Sequence, residues 1–260
     1  MYEGQFLDTN VVFDALYPSR PLYQDFHKYL DQPFLLRMLN ITLSTDTEVQ
    51  LIATESAQFL SSAIYNAIRP IDWDNLSTEK KEIVIKEIRK NLETDTEVKR
   101  KKRETFVLDS LKEITLQLQI ASKSEIIGIL CPNLNYIYTR ELQGKIMIRF
   151  NISPADGSNR DFNDLITTIK DMNISSKAFK QKENQDFDIL ADLLMLISVG
   201  ARYTNNFTQK FDAIKFYSRD DKFKDNLDEF KKHLVSKNKK TMYEERIGDS
   251  VNKIFFVKPY

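Results

Sequence analysis

Four carboxylates stand where an open parallel sheet would place a ligand site: Asp8, Glu55, Asp186 and Asp220. Asp8 closes a short apolar run, residues 5–7, and Asp220 follows another, residues 213–217. Asp186 opens a stretch, residues 186–199, too apolar for a surface helix, and Asp188 lies two residues further on as a further donor or the register-shifted alternative. Glu55 falls in a segment with helical spacing. At about 100° per residue, Glu55 and Glu48 share nearly the same edge of its apolar stripe, so periodicity leaves both open. Carboxylates that converge on a partly buried site repel one another unless a cation sits between them. Hard oxygen donors suit Mg²⁺ or Mn²⁺. Such an ion activates water and stabilises charge during in-line displacement at phosphorus, so the chemistry on offer is phosphodiester hydrolysis. An acid after a strand also serves as a turn or helix cap, the reading taken for Asp46 and Asp161.

The elements that must position these acids alternate between strand and helix. Residues 5–7 read as a buried strand, and Asp8-Thr9-Asn10 leads into helical spacing at Val11, Val12, Ala15 and Leu16. Residues 38–43 form a second strand, stopping at the cap-favouring run Ser44-Thr45-Asp46-Thr47, followed by a helix with Val49, Ile52, Phe59, Leu60 and Ile64 on one face. Helices over 161–172, 186–199 and 225–235 and strands over 213–217 and 253–257 complete the pattern. Alternation of this kind predicts a three-layer α/β/α sandwich around a central, mainly parallel sheet. Its ligand site belongs beyond the carboxyl ends of the strands.

The stretch 67–160 differs in character and reads as a helix-rich insertion into a core formed by 1–66 and 161–260. Pro70 ends a helix, and charged helices over 78–92 and 96–121 follow. Residues 135–140 and 145–150, joined through Gln143-Gly144, alternate as a β-hairpin would.

The acids and their flanks resemble the motifs of PIN-domain nucleases. FLDTNVVFDAL is similar to the first motif, an apolar strand followed by Asp-Thr-Asn and a helix. DFDILADLLML resembles the third, Asp-x-x-Ile-x-Ala opening a buried helix, a register that selects Asp186. FYSRDDKF resembles the fourth, a strand followed by Thr/Ser-x-Asp-x-x-Phe. Ile52-Ala53-Thr54-Glu55 loosely matches the second. The resemblance implies a metal-dependent endoribonuclease in which Asp8, Asp186, Asp220 and Glu55 hold Mg²⁺ or Mn²⁺ around a metal-activated water. Asn10 would order the first turn, Ser218 would support the acids with its hydroxyl, and Phe223 would pack. Single-stranded RNA is the implied substrate, and the resemblance admits a homodimer and an antitoxin-like protein partner. The alternative is a PIN-like fold retained as a nucleic-acid-binding or scaffold protein without catalysis. A phosphatase with an Asp nucleophile needs a second Asp two residues later, and Asn10 stands there.

Other chemistries find little support. Of 260 residues, 42% are hydrophobic and 29% charged, an ordinary globular composition. Lys plus Arg balance Asp plus Glu at 38 each, so net charge does not speak for or against nucleic acid. The single Cys131 excludes an internal disulfide framework and a cysteine-rich zinc site. His27 and His233 sit in amphipathic patterns and offer no general base. No glycine-rich phosphate loop occurs. The absence of a basic-then-apolar start and of a long apolar run predicts a cytoplasmic protein with no membrane contact. The basic run Lys99–Arg103 reads as solvated surface, with RNA-backbone contact as its functional alternative. Lys177, Lys180 and Lys182 would place positive charge near Asp186. Tyr136 and Tyr138 read as packing rather than base-stacking residues, and Trp73 as a packing anchor of the insertion.

Overall fold

The computed structural model describes residues 2–17, 20, 22–29, 39–100, 103–176, 178–179, 185–203, 207–236 and 240–259. In chain order the elements are β1 (Glu3–Leu7), α1 (Thr9–Leu16), α2 (Tyr23–Tyr29), β2 (Leu39–Thr42), α3 (Leu43–Ile68), α4 (Thr78–Thr94), α5 (Thr96–Arg100), α6 (Glu104–Ile120), α7 (Lys123–Glu125) and α8 (Cys131–Arg149). They continue with β3 (Asn151–Ser153), α9 (Phe162–Ser176), α10 (Gln185–Ser198), β4 (Ala201–Arg202), β5 (Thr208–Gln209), β6 (Ala213–Tyr217), α11 (Asp221–Ser236), α12 (Met242–Val251) and β7 (Ile254–Val257). The chain forms two compact units, one of residues 1–48 with 146–260 and one of residues 49–145. The second lies inside the first in sequence, as expected of an insertion, with bounds that differ from 67–160.

The first unit is α/β. Its five strands run in the order β3-β2-β1-β6-β7, with every neighbouring pair parallel. On one face Phe6, Ile214, Phe216 and Ile254 share a core with Ile169 of α9, Leu190 and Leu194 of α10, Phe223 and Phe230 of α11, and Ile247 of α12. Fully burying each such side chain contributes about 1.5–3 kcal/mol. Leu7 and Tyr217, one residue further along their strands, point to the opposite face and are buried too. A parallel sheet buried on both faces is consistent with a three-layer α/β/α sandwich. From β1 the chain passes to β2 and β3 on one side, while β6 and β7 add on the other. The order therefore reverses between β1 and β6, where open parallel sheets bind ligands beyond their carboxyl ends.

α10 ends as its sequence predicts. Val199 and Gly200 amides close on Met195 and Leu196 carbonyls, and Gly200 takes φ +91°, the left-handed region that favours glycine. A Cβ there would lie 2.8 Å from the Gln209 carbonyl of the short β4–β5 ribbon.

The second unit is helical among its described residues. Leu60, Ile64, Ile68, Trp73, Ile88, Val107, Leu118, Ile126 and Leu134 form its core. Trp73 is an anchor, as expected: it is fully buried, and its indole N–H donates to the Ala121 carbonyl at 3.1 Å.

Several expectations need correction. The hairpin over 135–150 does not exist; those residues belong to helix α8, apart from Phe150 just beyond it. The alternation of Tyr136 and Tyr138 competes there with a helical spacing of Leu134, Tyr138, Leu142 and Ile146, all four of which are buried. Gly144, read as a turn, sits inside the helix with nothing within 4 Å of its would-be Cβ. The strand near this point is β3, which joins the edge of the sheet. At the start of α3 the cap is Thr42, whose Oγ1 accepts from the Thr45 amide at 3.0 Å, rather than Ser44–Thr47. The helix expected over 96–121 is two, α5 and α6. α12 carries no expectation at all.

Candidate active site

Asp8 is the centre of the site. It directly follows β1, is 8% exposed, and caps α1 by accepting from the Thr9 amide at 2.8 Å. Its backbone amide donates to the Tyr217 carbonyl at 2.9 Å, extending the β1–β6 register by one step. That step brings Ser218 alongside, and the fully buried Ser218 hydroxyl donates to Asp8 Oδ2 at 2.6 Å. The Asp220 amide donates back to Ser218 Oγ at 2.9 Å. Asn10 Nδ2 also donates to Asp8 Oδ2, at 2.5 Å, while Asn10 Oδ1 accepts from the Arg219 amide at 3.4 Å. Asn10 thus ties the turn after β1 to the turn after β6.

Two further acids act on Asp8. Glu48, in the second turn of α3, accepts from Thr9 Oγ1 at 2.5 Å. Asp186 lies in the first turn of α10. Burial pushes the Asp8 carboxyl up to about 7; the negative charges of Glu48 and Asp186 add to the rise, and the Ser218 hydroxyl and Thr9 amide oppose it.

The expected residues therefore divide. In the first unit Asn10 and Ser218 bond to the Asp8 carboxyl, the charge of Asp186 acts on it, and Asp220 joins through its backbone amide to Ser218. Of the two glutamates left open, Glu48 is the one beside Asp8. Glu55 belongs to the helical unit, where its carboxylate pairs with Arg103 Nε at 3.0 Å. Asp188 is exposed; burial raises its carboxyl and the positive charge of Lys170 on α9 lowers it, while its own negative charge raises that of Asp192 one turn further along α10. Asp220 has a second duty: its Oδ1 accepts from the Lys222 amide at 2.8 Å at the start of α11. Phe223 is a core residue of that helix, as expected.

Three participants escaped the sequence reading. Thr9 links Asp8's turn to Glu48. Asp192 accepts from the Ser44 amide at 2.8 Å beyond β2. Asp14, fully buried on α1, holds Arg219 and Arg20. A charged residue within the apolar helix VVFDAL was the available signal for Asp14.

Of the basic features, Arg100 pairs with Glu97 and Arg103 with Glu55, while Lys101, Lys102, Lys177, Lys180 and Lys182 lie outside the described residues. Tyr138 is a packing residue whose hydroxyl donates to the Ser110 carbonyl, and Tyr136 is exposed. No described helix is long and apolar enough to cross a membrane.

The donors around Asp8 are hard oxygens, and the desolvated, acid-crowded Asp8 carboxyl is an environment that a divalent cation relieves. In type, therefore, the residues fit Mg²⁺ or Mn²⁺. Among the described residues no three acidic, histidine or cysteine side chains are gathered tightly enough to enclose an ion as they stand. No protein family, curated protein or solved structure matches the chain.

Proposed function

We propose that this chain is a metal-dependent endoribonuclease of PIN-like architecture that hydrolyses phosphodiester bonds in single-stranded RNA. The observation that carries the reading is the buried Asp8 carboxyl at the β1–β6 switch point, bonded to Ser218 and raised to about 7 beside Glu48 and Asp186. Asp8, Glu48, Asp186 and Asp220 would hold Mg²⁺ or Mn²⁺. Such an ion supplies water activation and charge neutralisation at the phosphate. Ser218 and Asn10 fix Asp8 Oδ2 and the Thr9 amide holds Oδ1, so the carboxylate keeps its orientation while substrate arrives. Asp220, tied through its own amide to Ser218, is held to the same turn. Cytoplasmic action and a homodimeric or antitoxin-bound state belong to the same reading.

A second reading has an observation of its own. Asp8 and Asp220 both cap helices, accepting from the Thr9 and Lys222 amides, a duty that would retain these acids in a scaffold or binding protein without catalysis.

Incubation with labelled single-stranded RNA and DNA in Mn²⁺, comparing wild type with Asp220→Asn, tests the proposal, alongside Mn²⁺ calorimetry. The nuclease reading expects RNA cleavage that the substitution lowers at least a hundredfold. Cleavage undiminished in Asp220→Asn overturns it, and absence of Mn²⁺ binding favours the scaffold.

A further inference from the structure

An acidic cluster repels the phosphodiester it is to act on, so a nuclease of this kind needs a cation fixed close by. The residue between Ser218 and Asp220 is Arg219, and two residues of α1 one helical turn apart hold its two ends. Asn10 Oδ1 accepts from its backbone amide at 3.4 Å. Asp14 Oδ1 accepts from its Nη2 at 3.3 Å, and Asp14 Oδ2 lies 3.1 Å from its Nε, within ion-pair distance although the N–H is not aligned on it. Asp14 is wholly buried, and its Oδ1 also accepts from Arg20 Nε at 3.2 Å. One enclosed carboxylate therefore anchors two guanidiniums. The Arg219 side chain remains 33% exposed, and among the described residues its Nη1 bonds to nothing. A guanidinium is a planar fork: one edge can rest on a carboxylate while the other N–H groups meet phosphate oxygens.

Resting on the nuclease reading above, we propose that Arg219, positioned by Asp14, is the phosphate-contacting cation beside the acids around Asp8. It receives a backbone phosphate of single-stranded RNA next to the acids and offsets their repulsion. Its contact is with substrate and not only with the fold, which separates it from an ordinary partly buried ion pair.

The test is binding of a fluorescent single-stranded RNA to the full chain without divalent cations, measured across a salt series, with melting temperature and cleavage kinetics in Mn²⁺ recorded in parallel. Arg219→Ala is expected to weaken binding about tenfold. It should also flatten the slope of log affinity against log salt by about 0.7, the value for one lost phosphate contact on a single strand. In cleavage the loss should fall on KM more than on kcat. Arg219→Lys keeps the charge, so it should retain the slope while losing about threefold in affinity, because an ammonium cannot serve carboxylate and phosphate from two edges. Should Arg219→Ala fail to fold, Arg219→Lys carries the test alone. Wild-type affinity and salt slope in every folded variant, even with a lowered melting temperature, overturn the inference while leaving the nuclease reading intact. A wild-type chain that binds no RNA overturns both.

Discussion

The hydroxyl of Ser218 donates to Asp8 Oδ2 at 2.6 Å across 210 positions of chain. That bond exists because β1 and β6 pair in parallel with Leu7 opposite Tyr217, so the residues just past each strand end share one level. Ser218→Ala removes the donor from a buried carboxyl and the acceptor from the Asp220 amide together. The expected cost is about 1–3 kcal/mol of stability, read by denaturant unfolding. The Asp8 carboxyl should also rise further, since the hydroxyl holds it down. An Asp8 titration unchanged in Ser218→Ala would disprove the coupling.

Asp8 makes stability depend on pH with a definite sign. Its carboxyl moves from an ordinary 3.8 in the unfolded chain to about 7 in the folded one. The folded state therefore binds the extra proton between those values. Stability from this group is complete below pH 3.8 and is lost as pH rises through about 7, by on the order of 4 kcal/mol. Asp8→Asn lacks this dependence, so its stability relative to wild type should improve steadily from pH 4 to pH 8 in urea melts. Parallel curves across that range would show that Asp8 is not held protonated. Added Mn²⁺ should reduce the wild-type penalty at pH 8 and leave Asp8→Asn unaffected.

Glu48 and Glu55 should behave differently despite sharing one helix edge. Glu48→Gln removes a negative charge acting on Asp8 and should lower the Asp8 carboxyl value and cation-dependent cleavage together, the latter about a hundredfold or more. Glu55→Gln breaks a pair with Arg103 in which both side chains are 18% exposed. Its cost should lie between exposed and buried pairs, about 1–3 kcal/mol, and should appear in the unfolding of the helical unit. The reverse pattern, with cleavage lost only in Glu55→Gln, would return Glu55 to the site.

Much of the α/β unit was legible because its signals are local. Residues 213–217 and 254–257 are short apolar runs flanked by polar residues, and Asp8, Asp186 and Asp220 stand at their element ends. The choice between Glu48 and Glu55 was not legible, since a helical wheel gives direction and not distance along the axis. Seven residues of α3 span about 10 Å along its axis, and Glu48 falls in the first unit while Glu55 falls in the second. Asp14 showed its type but not its partners, because Arg20 and Arg219 reach it only through tertiary structure. The stretch 135–150 carries two competing patterns: aromatic alternation at Tyr136 and Tyr138 fits a strand, while Leu134, Leu142 and Ile146 fit the helix that forms.

Gly144 offers a direct check of that correction. Within α8 its would-be Cβ meets open space, so Gly144→Ala should stabilise the chain by about 1 kcal/mol. In a hairpin turn the same change would destabilise. Gly200→Ala is the contrast: its left-handed backbone and the Gln209 carbonyl 2.8 Å away both oppose a side chain, and thermal melting should fall.

The pairing of β1 with β6 also sets a timetable during synthesis on the ribosome. A growing chain halted before Ala213 possesses Asp8, Glu48 and Asp186 but has no sixth strand to close against the first, and neither Ser218 nor Asp220 exists. Long-range parallel pairing is slow and comes late. The surroundings of Asp8 thus stay incomplete until β6 and the turn after it have been synthesised, because the Ser218 hydroxyl that bonds to its carboxyl arrives only with them.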